Sequence, residues 1–406
     1  MKLFRYRLVL IEVTVSASII FVIFSIHFTW NYDQETMDLS IETSIYHDMK
    51  NSRLALKNNE QSVKCMNCSH VVSNQSILIE TCPNYPPDLQ GNLEMPDYVR
   101  ELPPSLKELE TKYQMKRNMA NNCKARHKVA IIIPLRGRVL QLRSLLAHMH
   151  PILQRQQLDY TIYTITQAGN QLFNRAKLMN IGFSEAVNER KYDCFVFHDV
   201  DLLLENDKCL YWCPNDEDGP RHLSTYLDKR DYEIHSYNLE FCVSNAHKNM
   251  SVKVFGGISM FTEKQFTSVN GFSNLYWGWG SEDDDLLLRT WKKGYRVYDD
   301  SSRSCSFQMM QHDRERRNEK NILRRLLIKH ALDRQNNEGL NSLRYSVLSN
   351  NKTSIYTNIT VDIGRPSARL RQLSLKFSYD KRSVRHLSCF ESLLWMSKNL
   401  IKETSW

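Results

Sequence analysis

The sequence predicts an α/β fold in which buried strands alternate with amphipathic helices. Residues 128–134 and 192–197 are continuous apolar runs, typical of strands buried on both faces of a sheet. Residues 160–165 alternate in polarity as a strand does, and residues 142–149 have helical periodicity. Strands that alternate with helices along a chain are typical of α/β domains.

The predicted elements follow one another in a regular order. Proline ends the first strand, and Arg136, Gly137 and Arg138 come directly after it. Residues 174–187 resemble a helix with Asn174 as its N-cap, because this side chain can accept a hydrogen bond from the first turn. No internal repeat interrupts the pattern, so we expect residues 123–367 to form one globular domain.

Charged side chains follow two of these strands, at the edge where ligands bind in open α/β sheets. Asp199 and Asp201 follow the third strand, and such a pair can hold one cation that bridges a substrate diphosphate. A surface turn with helix-capping acids is the alternative. A glycine pair downstream and His312 favour a metal site. Imidazole together with the thioether of Met309 would favour manganese over magnesium.

The run from Trp277 to Asp285 sets two tryptophans and two glycines before four consecutive carboxylates. Adjacent acids repel one another and resist burial, whereas a site that binds a sugar and takes its proton uses aromatic rings and carboxylates. The alternative is a helix start, with Ser281 as N-cap, Asp284 in a capping box and Gly294 closing the helix. We expect both interpretations to hold, with the helix carrying acids to the site.

The N-terminus predicts a membrane anchor. Lys2, Arg5 and Arg7 precede an apolar run at 13–30, which predicts an uncleaved span over 8–30 and a cytoplasmic tail over 1–7. A cleaved signal peptide is the alternative. The rest of the chain is then luminal or extracellular, and five glycosylation sequons agree with that placement. They lie at Asn67, Asn74, Asn249, Asn351 and Asn358.

Composition divides the rest of the chain. Residues 31–122 are rich in Asn, Ser, Glu and Pro, which predicts a stem, and residues 368–406 form a basic extension. Ten cysteines in an oxidising lumen would mostly pair, in a pattern that sequence alone does not give. Cys65 and Cys68 look like half of a zinc site, but no second pair follows at ligand spacing.

The formal net charge of +9 does not indicate a nucleic-acid partner. The basic residues are scattered or clustered at 314–325, and no nucleic-acid motif accompanies them. We expect a solvated helix face to account for the cluster, and a nucleotide phosphate or an anionic membrane surface as its partner is the alternative.

Five motifs occur in the order seen in the β-1,4-galactosyltransferase family (glycosyltransferase family 7). They are Phe173-Asn-Arg-Ala-Lys177, Asp199-Val-Asp201, Phe255-Gly-Gly257, Trp277-Gly-Trp-Gly-Ser-Glu-Asp-Asp-Asp285 and Val361-Asp-Ile-Gly364. The chain resembles this family over residues 123–367. The resemblance implies a GT-A type, Rossmann-like single catalytic domain with a mixed, mostly parallel sheet, preceded by a transmembrane helix and a stem.

The resemblance also implies an activity and its residues. The activity is manganese-dependent transfer from a UDP-sugar to the 4-hydroxyl of a terminal β-linked N-acetylglucosamine, by a type II Golgi membrane protein with a luminal catalytic domain. Asp283 would be the base. The implied metal ligands are Asp201, Met309 and His312. The implied donor site is Pro134, Arg136, Arg138, Phe173, Arg175, Asp199, Val200, Val254 and Trp279. The implied acceptor site is Trp279, Gly280, Glu282, Asp283 and Asp284. The implied disulfides are Cys82–Cys123 and Cys194–Cys213, and the additional Cys209 and Cys242 are candidates to pair with each other.

Two separated acidic motifs suit this chemistry. Inversion by single displacement needs a base on the face opposite the departing UDP and a cation beside the leaving diphosphate. One carboxylate cannot do both. The glycines beside Trp279 would permit a hinged lid, and the simpler alternative makes Trp277 and Trp279 packing residues.

One departure from the family pattern concerns the donor sugar. Galactose-transferring members carry a tyrosine directly before the Phe-Gly-Gly motif, and this chain has Val254. A smaller residue there makes room for an N-acetyl group, so we expect N-acetylgalactosamine as the transferred sugar. Neutral drift in a strand, where valine is common, is the alternative. Galactose, and then N-acetylglucosamine, are the other donor sugars, and a catalytically silent glycan-binding protein is the alternative class.

Overall fold

The computed structural model describes residues 80–97, 102–113, 123–243, 246–299, 303–311 and 318–379. They belong to a compact unit that spans Ile77–Trp406; the other unit, Met1–Ser76, lies outside the described residues. The predicted tail over 1–7, the anchor over 8–30 and most of the stem over 31–122 also lie outside them.

Thirteen strands and eight α-helices make up the described part of the chain. The strands are β1 Lys128–Leu135, β2 Asp159–Gln167, β3 Cys194–His198, β4 Leu202–Leu204, β5 Arg221–His222, β6 Tyr226–Leu227, β7 Ser236–Val243, β8 Ala246–Lys253, β9 Ile258–Phe261, β10 Tyr298–Asp299, β11 Ser306–Met309, β12 Ser346–Lys352 and β13 Thr357–Asp362. The helices are α1 Leu106–Lys112, α2 Val139–Arg155, α3 Arg175–Glu189, α4 Glu263–Ser268, α5 Glu282–Lys292, α6 Arg324–Lys329, α7 Ala331–Arg334 and α8 Ala368–Tyr379. Short 3₁₀ helices cover Asp228–Arg230 and Leu340–Ser342.

The central sheet has eight strands in the order β10-β5-β9-β3-β1-β2-β13-β12. Strand β1 pairs in parallel with both β2 and β3, β2 pairs in parallel with β13, and β10 pairs in parallel with β5. The contacts of β9 with β3 and β5, and of β12 with β13, are antiparallel. The expected mixed, mostly parallel sheet is therefore confirmed.

Successive side chains of the central strands point to opposite faces of the sheet, and apolar side chains form a core on each face. Ala130 and Ile132 of β1 point into one apolar cluster, whereas Val129 and Ile131 point into the other. Helix α3 covers the first face closely enough that a Cβ at Gly182 would lie 2.3 Å from the Ile132 side chain. The continuous apolar runs predicted as buried strands are buried for this reason.

The two longest predicted helices are present with different bounds. Helix α2 extends beyond 142–149 at both ends and contains Pro151. Helix α3 begins at Arg175, and the Asn174 side chain accepts a hydrogen bond from the Lys177 N–H at 2.9 Å. The predicted N-cap is confirmed. The carboxyl ends of β1, β2, β3 and β13 meet at one edge of the sheet beside this helix start.

Three disulfides lie in the described part of the chain. Cys82–Cys123 and Cys194–Cys213 are present as the resemblance implied. Cys209 pairs with Cys305, so the suggested pairing of Cys209 with Cys242 is wrong. Cys209 and Cys305 share one face of the sheet, because β4 and β11 pair there. Strand β7 carries Cys242, which is buried and disulfide-bonded, and packs its apolar side chains into the opposite face.

The C-terminal extension begins with helix α8, which buries Leu370 and Leu373 in the core. The extension therefore belongs partly to the globular body.

The five sequons lie in different surroundings. Asn249 and Asn351 are exposed. Asn358 lies in β13, where its amide oxygen accepts hydrogen bonds from Thr164 and Thr166, so the sheet already uses this side chain. Asn67 and Asn74 lie outside the described residues.

Among the residues that the structure describes, no helix has the length and apolar character needed to cross a bilayer.

Candidate active site

The turn after β1 forms one wall of the site. The Nη1 atom of Arg136 donates to the backbone oxygen of Gln171 at 2.6 Å, and its guanidinium lies 5.0 Å from the centre of the Phe173 ring. Gly137 takes a φ of 62°, a left-handed conformation that suits glycine. The turn therefore brings Arg136 and Phe173 together, two residues of the expected donor site. Pro134 and Arg138 flank the same turn.

Arg175 joins the two acidic motifs. Its Nε donates to Asp199 at 2.6 Å, and its Nη1 lies 3.7 Å from the Glu282 carboxylate. Burial alone would lower the pKa of Arg175, but the charges of Asp199 and Asp283 raise it. The buried Nη1 makes no hydrogen bond within the described chain. A fixed cation with an unused donor therefore sits between the Asp-x-Asp motif and the acidic run.

The Asp-x-Asp motif lies at the end of β3, as predicted. The Asp199 N–H donates to the Gly257 oxygen at 3.1 Å. Burial raises the pKa of Asp199 to about 6, the Arg175 guanidinium opposes the rise, and Asp201 adds to it. Val200, between them, is buried. Met309 pairs with the residue after Asp201 across β4 and β11, so these two expected metal ligands are brought together.

The charges at this edge fit a divalent cation. The carboxylates of Asp199, Asp201, Glu282 and Asp283 lie in one partly buried place, and the Arg175 guanidinium interacts there with Asp199, Glu282 and Asp283. Carboxylate and thioether donors suit manganese. The third expected ligand, His312, lies outside the described residues, and no group of three His, Cys, Asp or Glu that could hold a metal occurs within them. Of the three expected metal ligands, Asp201 and Met309 lie within the described part of the chain.

The four acids of the run separate into different roles. Glu282 is buried and faces Arg175; burial and the neighbouring Asp283 raise its pKa well above the usual range. Asp285 points into the core, where it accepts from Tyr276 at 2.9 Å and from Arg334 at 2.8 Å. Asp285 is therefore a structural residue. The sequence did not distinguish Asp285 from the other acids of the run, because its partners lie up to 49 positions away.

Asp283 lies against the Phe-Gly-Gly motif. A Cβ at Gly256 would lie 2.0 Å from the Asp283 Oδ2, so only glycine leaves room for this carboxylate. The Gly256 oxygen accepts a hydrogen bond from the Ser224 hydroxyl at 3.0 Å, which holds the strand end in place. The glycine pair and the expected base are thus parts of one arrangement.

The predicted capping box at the start of α5 is wrong. Ser281 precedes the helix but has a φ of 71°, and its side chain makes no capping hydrogen bond. The left-handed backbone at Gly280 and Ser281 turns the serine away from the N–H groups that it would cap. The predicted end is confirmed, since Gly294 has a φ of 84° and donates its N–H to the Trp291 oxygen.

The two tryptophans differ. Trp277 is buried in the core, so its interpretation as a packing residue is correct, whereas Trp279 is 55% exposed. The Trp279 backbone bonds to Glu319 and Asn321 on both sides. Arg324 lies 5.8 Å from the centre of the Trp279 ring. The exposed ring stands on a backbone segment with positive-φ glycines on each side.

Val254 lies two residues before Gly256 and is half-buried. Its N–H donates to the His235 oxygen at 3.1 Å. One residue, Phe255, separates Val254 from the glycine that lies against Asp283.

Two residues that the sequence did not indicate also face the acidic run. The Tyr237 hydroxyl donates to the Asp284 carboxylate, and Arg230 lies near enough for the Asp283 charge to affect its pKa. Neither residue belongs to a motif, and both lie far from the acids in sequence, so no local pattern predicted these contacts.

The chain matches two family models and several known proteins. Residues 82–214 match the N-terminal region of glycosyl transferase group 7, and residues 240–313 match the N-terminal domain of galactosyltransferase. The chain is 45% identical over 246 residues to beta-1,4-galactosyltransferase 1 of Bos taurus, which covers 61% of this chain and 57% of that protein. It is 40% identical over 297 residues to beta-1,4-galactosyltransferase 4 of Cricetulus griseus, which covers 72% of this chain and 80% of that protein.

Among solved structures, the chain is similar to Drosophila beta-1,4-galactosyltransferase 7 in complex with manganese, UDP-Gal and xylobiose. The sequence identity is 28%, the TM-score is 0.48, and the match covers 59% of this chain and 94% of that one. The relatives named here are galactosyltransferases, and their names do not support the N-acetylgalactosamine expectation specifically. Because the two family models match and because the chain is 40% identical to a relative of which it covers 80%, the chain belongs to glycosyltransferase family 7, the β-1,4-galactosyltransferase family.

Proposed function

We propose that this chain is an inverting, metal-dependent β-1,4-glycosyltransferase that moves a sugar from UDP to the 4-hydroxyl of a terminal β-N-acetylglucosamine. The observation that carries the proposal is the bridge from Asp199 through Arg175 to Glu282, beside Asp283. This bridge holds the Asp-x-Asp motif, which would bind the metal, next to the acidic run, which would bind the acceptor. An inverting transfer needs both.

The donor half of the site lies at the end of β1 and β3. Pro134, Arg136, Arg138, Phe173 and Arg175 would hold the UDP, with Asp199 and Val200 beneath it. Arginine guanidinium groups suit phosphate oxygens in charge and geometry. Asp201, Met309 and His312 would hold Mn²⁺, which supplies positive charge to the leaving diphosphate.

The acceptor half lies at the start of α5. Asp283 would accept the proton of the sugar 4-hydroxyl while that oxygen bonds to the anomeric carbon and the bond to UDP breaks. The transfer is concerted, because a carboxylate is too weak a base to remove the proton beforehand. Glu282, Asp284 and Gly280 would orient the acceptor, and Trp279 would close over both sugars.

The donor sugar has two candidates. The named relatives are galactosyltransferases, which favours UDP-Gal. The second candidate is UDP-GalNAc, which Val254 favours, because a small aliphatic side chain near the reacting centre leaves room for an N-acetyl group. Pocket volume discriminates by about 1–3 kcal/mol for one small group, so the preference is expected to be graded rather than absolute.

A direct assay offers the soluble luminal part UDP-Gal, UDP-GalNAc and UDP-GlcNAc in turn, with manganese and a GlcNAc-terminated acceptor. Val254→Tyr is expected to raise the ratio of galactose to N-acetylgalactosamine transfer by about tenfold. Val347→Tyr, the same change on an exposed strand position, is the matched control. An unchanged ratio in Val254→Tyr would remove this residue from the donor argument.

A silent glycan-binding protein would bind the same acceptor and transfer nothing. Asp283→Asn separates the two classes, because it removes the proposed base and keeps the side-chain volume. If the wild-type chain transfers no sugar from any donor, while it binds the glycan as well as Asp283→Asn does, the binding class is correct.

We also propose the chain's placement and domain organisation. A cytoplasmic tail (1–7), anchor (8–30), stem (31–122), catalytic domain (123–367) and C-terminal extension (368–406) would make a type II Golgi protein with a luminal active site. Alkaline extraction and protease protection of the tagged full chain test this arrangement. Release by alkali, or digestion of the C-terminus in intact Golgi vesicles, would contradict it.

A further inference from the structure

The hairpin formed by β7 and β8 stands apart from the central sheet as its own two-stranded antiparallel unit. Leu239 and Phe241 of β7 and Val252 of β8 are buried in the core, and β7 packs against α6 and α7. A lone hairpin is at best marginally stable in water. Packing on the body therefore fixes the hairpin in place.

Tyr237 extends this packed face toward the acidic run. Residues 237, 239 and 241 share one face of β7, because side chains alternate along a strand. Tyr237 stands opposite Val252 in the register, at the end of the hairpin near α5. It is 38% exposed, whereas Leu239 and Phe241 are 6% and 5% exposed. Tyr237 therefore lies at one end of the packed face of β7 and remains partly exposed.

The Tyr237 hydroxyl donates to Oδ1 of Asp284, directly beside the proposed base Asp283. Burial and the Asp284 charge raise the pKa of Tyr237, so the phenol stays a donor at neutral pH. Burial raises the pKa of Asp284 to about 6, the Asp283 charge adds to it, and the hydrogen bonds from Tyr237 and Ser281 oppose the rise. The phenol therefore favours the ionised carboxylate and fixes its orientation.

We propose that Tyr237 is a positioning residue for the acceptor sugar. It holds one oxygen of Asp284 so that the carboxylate presents its remaining lone pairs to an acceptor hydroxyl. The hairpin is then a wall of the acceptor site, and its contact acts on acceptor binding rather than on the donor. This inference rests on the proposed function, since that function makes Asp284 an acceptor contact.

The test compares Tyr237→Phe with the wild type in full steady-state kinetics. Removing the hydroxyl is expected to raise the KM for the acceptor about tenfold, as for a hydrogen bond to a charged group. The KM for the UDP-sugar and kcat are expected to stay within about twofold of wild type, because donor contacts lie elsewhere. Tyr345→Phe is the matched control, since its hydroxyl donates to Glu185 of helix α3 at 2.5 Å and not to the acidic run.

A double variant shows whether the effect passes through Asp284. In an Asp284→Ala background, Tyr237→Phe is expected to change the acceptor KM less than about twofold, because alanine has no oxygen that could accept the hydrogen bond of the phenol. A tenfold rise that persists in that background would overturn the proposal. An unchanged acceptor KM in Tyr237→Phe, or an equal loss of kcat and donor affinity, would overturn it too.

Direct binding separates this inference from the proposed function. Calorimetric titration with a GlcNAc-terminated oligosaccharide, with UDP and manganese present, needs no turnover. Weaker oligosaccharide binding by Tyr237→Phe than by Tyr345→Phe supports the inference even if no transfer is found. Equal binding by both variants would refute it, whether or not the wild-type chain is an enzyme.

Discussion

Gly256→Ala tests the contact between the Phe-Gly-Gly motif and the proposed base. The backbone of Gly256 is not left-handed, so alanine is conformationally allowed there. Its Cβ would lie 2.0 Å from the Asp283 Oδ2, whereas real Cβ atoms keep more than 3.0 Å from other heavy atoms. The carboxylate must move by about 1 Å, and a displacement of that size can lower a rate by about 100-fold.

The assay measures kcat, the donor KM and the melting temperature of Gly256→Ala. We expect kcat to fall by about 100-fold while UDP binding and melting temperature change little, since the clash involves one movable side chain. Gly182→Ala is the contrasting variant, because its Cβ would lie 2.3 Å from Ile132 in the core. It should cost about 1–3 kcal/mol of stability and leave kcat of the folded enzyme unchanged.

A Gly256→Ala variant with wild-type kcat would refute the reasoning. It would mean either that Asp283 lies elsewhere in the working enzyme or that Asp283 is not the base.

Three further predictions concern charges and disulfides. Asp285→Asn should lower the free energy of unfolding by about 3–5 kcal/mol in urea titrations, since it leaves buried arginines without their counter-charge. The acceptor KM should rise as pH falls through about 6 in a pH profile, because Asp284 binds as the carboxylate and its folded pKa is raised to about 6. Cys209→Ser and Cys305→Ser should each lower the free energy of unfolding by about 2–5 kcal/mol. The double variant should lose no more than either single variant, because both changes remove the same disulfide. Cys242→Ser should lower the free energy of unfolding further, because Cys242 belongs to a different disulfide.

Each of these has a result that would contradict it. For the buried network, Asp285→Asn with unchanged stability would place Asp285 outside the core. An acceptor KM that does not change from pH 5 to 8, or that still rises at low pH in Asp284→Asn, would show that protonation of Asp284 does not control acceptor binding. Additive losses in the Cys209 and Cys305 double variant would show that the two thiols are not partners.

The sequence predicted the elements whose burial is continuous or periodic. Strands β1 and β3 are apolar along their length, and α3 has both periodicity and a capping asparagine at Asn174, so local pattern was sufficient. The two-residue strands β5, β6 and β10 have no period to detect. The hairpin of β7 and β8 carries polar side chains along its exposed positions, and nothing local marks its partner strand.

The candidate site was predicted where motifs are contiguous and missed where contacts are long-range. Asp199 and Asp201 were predicted as site residues because they directly follow a buried strand. The core role of Asp285 depends on Arg334, and the role of Tyr237 depends on Asp284, 47 positions away. The Cys209–Cys305 pairing depends on β4 lying beside β11. Only the folded arrangement shows such pairs.

The configuration of the new glycosidic bond tests the central claim most directly. Proton NMR of the product made from a UDP-sugar, manganese and a GlcNAc-terminated acceptor reports both the linkage position and the anomeric configuration. The account predicts a β linkage to the 4-hydroxyl, formed by wild type and lost in Asp283→Asn. An α linkage, a different hydroxyl, or full activity in Asp283→Asn would contradict it.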